Sequence, residues 1–250
     1  MTDRPRAKKA LITRTHEGNL ELAGKLRAIG LEPISVDVLA LAPPEDWSQV
    51  DERLREIDGY DWLLFTSAAG ARFFAERART LAIASRDGQT KIAAVGAKTA
   101  SALAEAGWKV DFTPGRFTTR ALAEELPGGG KVLLLRTEIA DRTLGEVMRR
   151  RGFEVDEVAI YRTLILDLEA IEPVSEADMV IFGSPSAVEG ICSQLPESVM
   201  SGLVEKEAAC LGPVTAEAAR AHGFTRIIQC VDENTFDSLL REIMAVNHLA

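Results

Sequence analysis

A chain of 250 residues can hold two domains of ordinary size, and 46% hydrophobic with 27% charged residues is the balance of a globular protein. The formal net charge of -9 argues against nonspecific nucleic-acid binding as the main task, although a local cluster of donors can still take an anionic small molecule. No apolar run approaches membrane-spanning length, and the basic start MTDRPRAKKALITRT reaches only a short apolar stretch, a strand rather than a signal-peptide core.

In chain order the elements alternate. Ala10–Thr13 reads as a strand, and Asn19–Ile29 as a helix that stops at Gly30. The apolar run Trp62–Phe65 is a strand buried on both faces, and Ser67 opens a helix running to about Arg79. Ile92–Val95 and Lys98–Ala106 form the next strand and helix, then Val132–Leu135 and Arg142–Arg151. Val180–Phe182, Ser186–Gln194, Ala208–Leu211, Thr215–Ala221 and Ile227–Gln229 follow, and Thr235 opens a last helix, Phe236–Val246. The alternation predicts an α/β protein with parallel sheets covered by helices on both faces.

The chain also contains itself twice. KALITRT at Lys9–Thr15 faces KVLLLRT at Lys131–Thr137, within an ungapped likeness of Lys9–Leu41 to Lys131–Thr163. Asp61–Phe74 resembles Asp178–Ile191, and AAVGAKTASALAEAGW resembles AACLGPVTAEAARAHGF, aligning Gly96 with Gly212 and Thr99 with Thr215. A repeat this long means two similar domains, with a ligand cleft expected between them. Two equivalent stretches, Pro33–Ala42 and Val155–Leu166, are too long for ordinary strands; ten extended residues span roughly 33 Å, enough to pass from one domain to another. The expected arrangement is therefore a discontinuous domain of 1–36 plus 168–250, a second domain of 43–155, and linker strands at 37–42 and 156–167. Tandem domains split near Gly128–Gly130 are the competing arrangement.

Ligands in open α/β sheets bind beyond the carboxyl ends of strands. The loops there are rich in glycine and hydroxyls: Thr66-Ser67, Gly96 with Lys98 and Thr99, Ser184 with Ser186, and Gly212 with Thr215. Free N–H groups at helix starts, with the helix dipole, suit carboxylates or phosphates. Plain N-capping by Ser67, Thr99, Ser184 or Ser186 explains any one of these residues as well. Arg14 and Arg136 share one repeat position, one residue beyond a strand, where two guanidinium groups would suit a polyanion and a surface salt bridge is the alternative. Tyr161 stands where the other copy has Leu39, which makes it a candidate donor; an ordinary half-buried strand aromatic is the other explanation. GGGK at Gly128–Lys131 precedes a strand and is neither a P-loop nor a dinucleotide fingerprint. Neither Cys192, Cys210 and Cys230 nor the three histidines have metal spacing, so no metal is expected, and the cysteines read as reduced thiols of a cytosolic protein.

The stretches FTSAAGARFF, VGAKTASALAEAGWKVDFTP, LLLRTEIADRTL, GFEVDEVAIYRT, FGSPSAVEGI and LGPVTAEAARAHGF, in this order, resemble the uroporphyrinogen-III synthase family over nearly the whole chain. The resemblance implies two α/β domains joined by a two-stranded linker, and an enzyme that closes hydroxymethylbilane, an anionic linear tetrapyrrole, into uroporphyrinogen III. Water is lost, ring D is inverted, and no cofactor is used. It implies that Tyr161, the tyrosine of the family's E-x-x-x-Y-x-T stretch at Glu157–Thr163, hydrogen-bonds the leaving hydroxyl. Arg142 is carried over from the family's glycine-arginine pair after LLLR, which reads Ala140-Asp141-Arg142 here. Ala68-Ala69-Gly70 departs from the family's more polar loop, and Gly183 stands where the first copy has Thr66. A cytoplasmic monomer is expected, acting on a small molecule without nucleic acid or membrane, since no segment outside the two domains is spare for an interface. A non-catalytic clamp for an anionic metabolite is the alternative.

Overall fold

The computed structural model describes residues 7–84, 90–139, 143–230 and 235–247. Its elements begin with β1 (Lys9–Thr15), α1 (His16–Ala28), β2 (Glu32–Ala42), α2 (Ser48–Arg55), a 3-10 turn at Ile57–Gly59, β3 (Trp62–Phe65), α3 (Ala68–Thr80), β4 (Lys91–Ala94), α4 (Ala97–Glu105) and α5 (Thr119–Glu125). They continue with β5 (Gly130–Thr137), α6 (Thr143–Arg150), β6 (Phe153–Ile165), α7 (Glu172–Ser175), β7 (Met179–Phe182) and α8 (Pro185–Cys192). The last are α9 (Glu197–Val204), β8 (Glu207–Cys210), α10 (Pro213–Ala221), β9 (Arg226–Gln229) and α11 (Phe236–Asn247). Helices α2, α5, α7 and α9 go beyond the sequence expectation; each is too short to set up a clear apolar period.

Two compact units divide the chain. One takes the described residues of Met1–Ala40 and Leu164–Ala250; the other is Leu41–Thr163. The chain leaves the first unit at the end of β2 and returns within β6. In the first unit the parallel strand order is β2-β1-β7-β8-β9. In the second it is β6-β5-β3-β4. The repeat equates β5 with β1, β6 with β2, β3 with β7 and β4 with β8, so the two orders are the same. Among the described residues β9 has no full partner: in the second unit a bridge from Ala93 to Phe112 takes its place.

Alternation along each strand splits each core into two layers. In the second unit Leu63 and Phe65 pack with Phe74, Ala78 and Leu103 from α3 and α4. Trp62 and Leu64 point the other way, onto Leu122 of α5 and Leu144 and Met148 of α6. In the first unit Leu11 and Phe182 meet α8 and α10, whereas Ile12 and Ile181 meet α1 and α11. Full burial of each such side chain contributes about 1.5–3 kcal/mol.

A reciprocal clasp starts each sheet. Asp178 accepts from the Lys9 backbone N–H through Oδ2 (2.8 Å), and its own N–H donates to Lys9 O (2.8 Å). Asp61 does the same to Lys131, at 2.7 and 2.8 Å. The first residue of each central pair is thereby tied in register with its neighbour.

A bulge ends each first strand. The pairing runs Arg14 to Asp37 and then Thr15 to Leu39, leaving Val38 over on β2. It runs Arg136 to Ala159 and then Thr137 to Tyr161, leaving Ile160 over on β6. An extra residue changes which face the following side chain takes, a common device for re-aiming a side chain near a site.

Candidate active site

In the second unit the bulge brings Tyr161 to the start of α3. Ser67 caps that helix: its Oγ accepts from Gly70 N–H at 3.0 Å and lies 3.1 Å from Tyr161 Oη. The Phe73 ring, one turn into α3, stacks on the tyrosine ring with centroids 5.6 Å apart and planes 6° from parallel. Gly70 permits this approach, because a Cβ there would stand 3.2 Å from Ser67 Oγ, 3.4 Å from Leu135 O and 3.6 Å from Tyr161 Cε1. Glu138 N–H donates to Tyr161 O at 3.1 Å and fixes the backbone. Tyr161 is only 8% exposed, and it lines a pocket with Pro44, Gln49, Glu138 and Arg162.

Arg136 and Arg14 lie inside β5 and β1 rather than one residue past them, because β6 and β2 run on alongside and keep pairing them. Arg136 is 6% exposed and donates from Nη1 to Glu157 Oε2 at 3.3 Å. Arg149 Nη2 donates to the other oxygen, Oε1, at 3.0 Å. The salt bridge weighed from the sequence is therefore present, with its guanidinium buried and its carboxylate on an exposed strand residue. Arg14 Nη1 donates to Gly18 O at 2.9 Å, and its guanidinium lies 4.3 Å from the centre of the Phe236 ring. Burial lowers its pKa, and the Glu21 charge partly offsets this.

Ser184 caps α8 as Ser67 caps α3, accepting from Ala187 N–H at 3.2 Å. Thr66 is half-buried at the end of β3. Gly96 and Gly212 hold the N-cap positions of α4 and α10. Thr99 and Ser186 are thus not caps: both sit within the first turn, since Gly96 and Ser184 already end the strands and start the helices. Thr215 donates to Leu211 O at 3.3 Å, so its hydroxyl is engaged at its own strand-helix junction. Lys98 is exposed in the first turn of α4, and the 65% exposed Phe117 ring packs against Gly96 before it. Arg142 lies outside the described residues.

Three participants escaped the sequence reading. Phe73 was visible as an asymmetry, because its repeat counterpart is Gly190. Glu157 stood unremarked at the head of the tyrosine stretch, opposite Ser35 in the other copy. Phe236 explains Gly183, where a Cβ would lie 3.1 Å from Phe236 Cζ and 3.3 Å from Arg14 Nε. Among the described residues no group of three or more His, Cys, Asp or Glu is placed to hold a metal ion, and no helix is long and apolar enough to cross a membrane.

Parallel strands covered by helices on both faces, with capped helix starts at the strand ends, define an α/β protein. Comparison with known proteins gives the family. A family model described as uroporphyrinogen-III synthase HemD matches residues 21–241, and the chain belongs to that family, an enzyme family of porphyrin biosynthesis. The porphyrin biosynthesis protein HemD of Ruminiclostridium josui is 28% identical over 248 residues; the match covers 95% of this chain and 48% of that protein, so the chain spans about half its length. A uroporphyrinogen-III synthase of Synechococcus elongatus is 27% identical, with 97% of both chains covered. A mutant uroporphyrinogen III synthase of Thermus thermophilus superposes with a TM-score of 0.60 at 22% identity, covering 97% of this chain and 99% of that one. The Helicobacter pylori uroporphyrinogen-III synthetase gives 0.59 at 14%, covering 96% and 99%. These two likenesses establish the mixed α/β fold with its large, mostly parallel sheet.

Proposed function

We propose that the protein closes hydroxymethylbilane into uroporphyrinogen III with loss of water and inversion of ring D. The observation that carries this reading, beside the family match, is the phenol of Tyr161 held between Ser67 and Phe73 at a strand end. In this reading the domains are 1–36 with 168–250, and 43–155, and residues 37–42 and 156–167 link them. The substrate's carboxylates take the helix starts at Ser67, Gly96, Ser184 and Gly212, with Thr66, Lys98, Thr99, Ser186 and Thr215 beside them and Arg14, Arg136 and Arg142 supplying positive charge.

The chemistry asks little of the protein. Electron density from the ring A nitrogen breaks the terminal C–O bond, and Tyr161 hydrogen-bonds the departing hydroxyl. Water takes one proton as it leaves and the ring nitrogen gives one up, so the step consumes none. The substituted carbon of ring D attacks the resulting azafulvene to give a spiro intermediate, and fragmentation and reclosure invert that ring. Cyclisation without inversion runs unaided, so the protein supplies geometry: both ends of a flexible chain are held in one pose. The reading includes a cytoplasmic monomer working without metal or cofactor.

The test is a product assay with fresh hydroxymethylbilane, oxidation, and chromatographic separation of the type I and type III uroporphyrins. Type III above the control without protein supports the reading. Type I alone, with an active synthase in a parallel tube, rejects it and leaves a non-catalytic clamp.

A further inference from the structure

We infer that Ser67 is a positioning residue for Tyr161: its hydroxyl donates to the phenol oxygen and leaves the phenol proton free for the substrate. The inference rests on the reading of Tyr161 as donor to the leaving hydroxyl.

A serine hydroxyl has one proton to give and two lone pairs. One lone pair of Ser67 is engaged by the Gly70 N–H at 3.0 Å, at the positive end of the thirteen-residue helix α3. An oxygen already accepting there is a better donor and a poorer acceptor, because linked hydrogen bonds polarise one another. Tyr161 Oη, 3.1 Å away, is the acceptor within reach. The donors then run one way: Gly70 N–H to Ser67, Ser67 O–H to Tyr161, Tyr161 O–H to the substrate. In the opposite sense the phenol proton would be spent on Ser67 and the tyrosine would have nothing to offer. Phe73 fixes the plane of the ring, and the backbone bond from Glu138 fixes its base, so the proton's direction is what remains for Ser67 to set.

The first unit supports a role beyond capping. Ser184 makes the same cap on α8, but Leu39 stands in place of the tyrosine and Gly190 in place of Phe73. The cap occurs in both units and the phenol in one, so the relay is an addition to a shared helix start.

The experiment measures turnover and KM for type III formation in Ser67→Ala, Ser67→Thr, Ser67→Asp, Tyr161→Phe and the Ser67→Ala/Tyr161→Phe double variant, with thermal unfolding of each. Ser67→Ala should lower turnover roughly tenfold, the size expected for one hydrogen bond, with little change in KM. Ser67→Thr should restore most of it. Ser67→Asp caps as well as serine but has no proton to give, so turnover should fall while the melting temperature holds. Added to Tyr161→Phe, Ser67→Ala should change turnover less than about twofold, the mark of two residues acting as one. An equal loss in both backgrounds, or a loss seen in KM alone, overturns the inference, and so does undiminished turnover in Tyr161→Phe. A second readout needs no turnover. The chain has two tyrosines, so Tyr60→Phe leaves Tyr161 as the sole signal for ring-labelled tyrosine NMR. Its Cζ resonance should move on Ser67→Ala and return on Ser67→Thr; a resonance that stays put overturns the inference. Should the unaltered protein make no type III, the cyclase reading fails by itself and the NMR result still decides the hydrogen bond.

Discussion

The two units share a backbone plan and differ where side chains meet their strand ends. Both open with an aspartate clasp, both end the first strand in Arg-Thr at a bulge, and both cap the next helix with serine. In the second unit the residue after the bulge is a tyrosine stacked on Phe73, and the strand-end arginine is buried against Glu157. In the first unit those places hold Leu39, Gly190 and Ser35, and Arg14 rests on an aromatic ring beside a glycine instead. Backbone geometry is thus held in common, and one unit alone carries an ionisable hydroxyl at the strand end. A duplicated scaffold can keep its hydrogen-bonding frame while a few side chains give one copy a task the other lacks.

The comparison is most directly broken at Tyr161. Tyr161→Phe keeps the ring on Phe73 and removes only the hydroxyl, so type III turnover should fall by about a hundredfold with the melting temperature nearly unchanged. Steady-state assay of purified protein checks this. Next in size is Glu157→Ala, which takes one carboxylate away from both Arg136 and Arg149; the loss should be about 2 kcal/mol, reduced by the exposure of Glu157, and read from urea unfolding. Gly130→Ala should cost somewhat less, about 1.5 kcal/mol by the same assay. Gly130 has φ +101°, and a Cβ would lie 2.1 Å from Asp61 Oδ2, whereas the first unit builds the equivalent clasp with Lys8.

Asp156→Asn is the smallest of these changes. The Tyr60 hydroxyl, donating at 2.7 Å, holds the Asp156 carboxyl below its ordinary range, with Arg53 and Lys131 adding charge. A carboxyl lowered by folding stabilises above its unfolded value of about 3.9 and ceases to as the pH falls through the lower folded value. Wild type should therefore exceed Asp156→Asn by about 1 kcal/mol at pH 7, and the gap should close below about pH 4. The first unit has Ile34 at this position and offers no counterpart titration.

The sequence made the repeat legible because strand starts, glycine stops and serine caps recur at fixed distances. It made Tyr161 conspicuous because Leu39 stands opposite. Phe73 was passed over although Gly190 stands opposite: its place beside Tyr161 depends on a bulge, and an extra strand residue leaves no mark in composition or period. The arginines were read one residue too far out, since a polar side chain looks like a strand end even when the neighbouring strand continues. Glu157 was passed over because an acid on a strand gives no sign of which guanidinium it will meet.

The reporters are also divided between the units. All three thiols lie in the discontinuous unit, and all three tryptophans, Trp47, Trp62 and Trp108, lie in the other. Burial pushes the Cys192 and Cys210 thiols up to about 12, so a thiol reagent reaches them only when their own unit opens. Indole emission follows the continuous unit by itself. One denaturation series read in both colours would show whether the halves melt in concert, and whether ligand tightens one half or both, without a single introduced label.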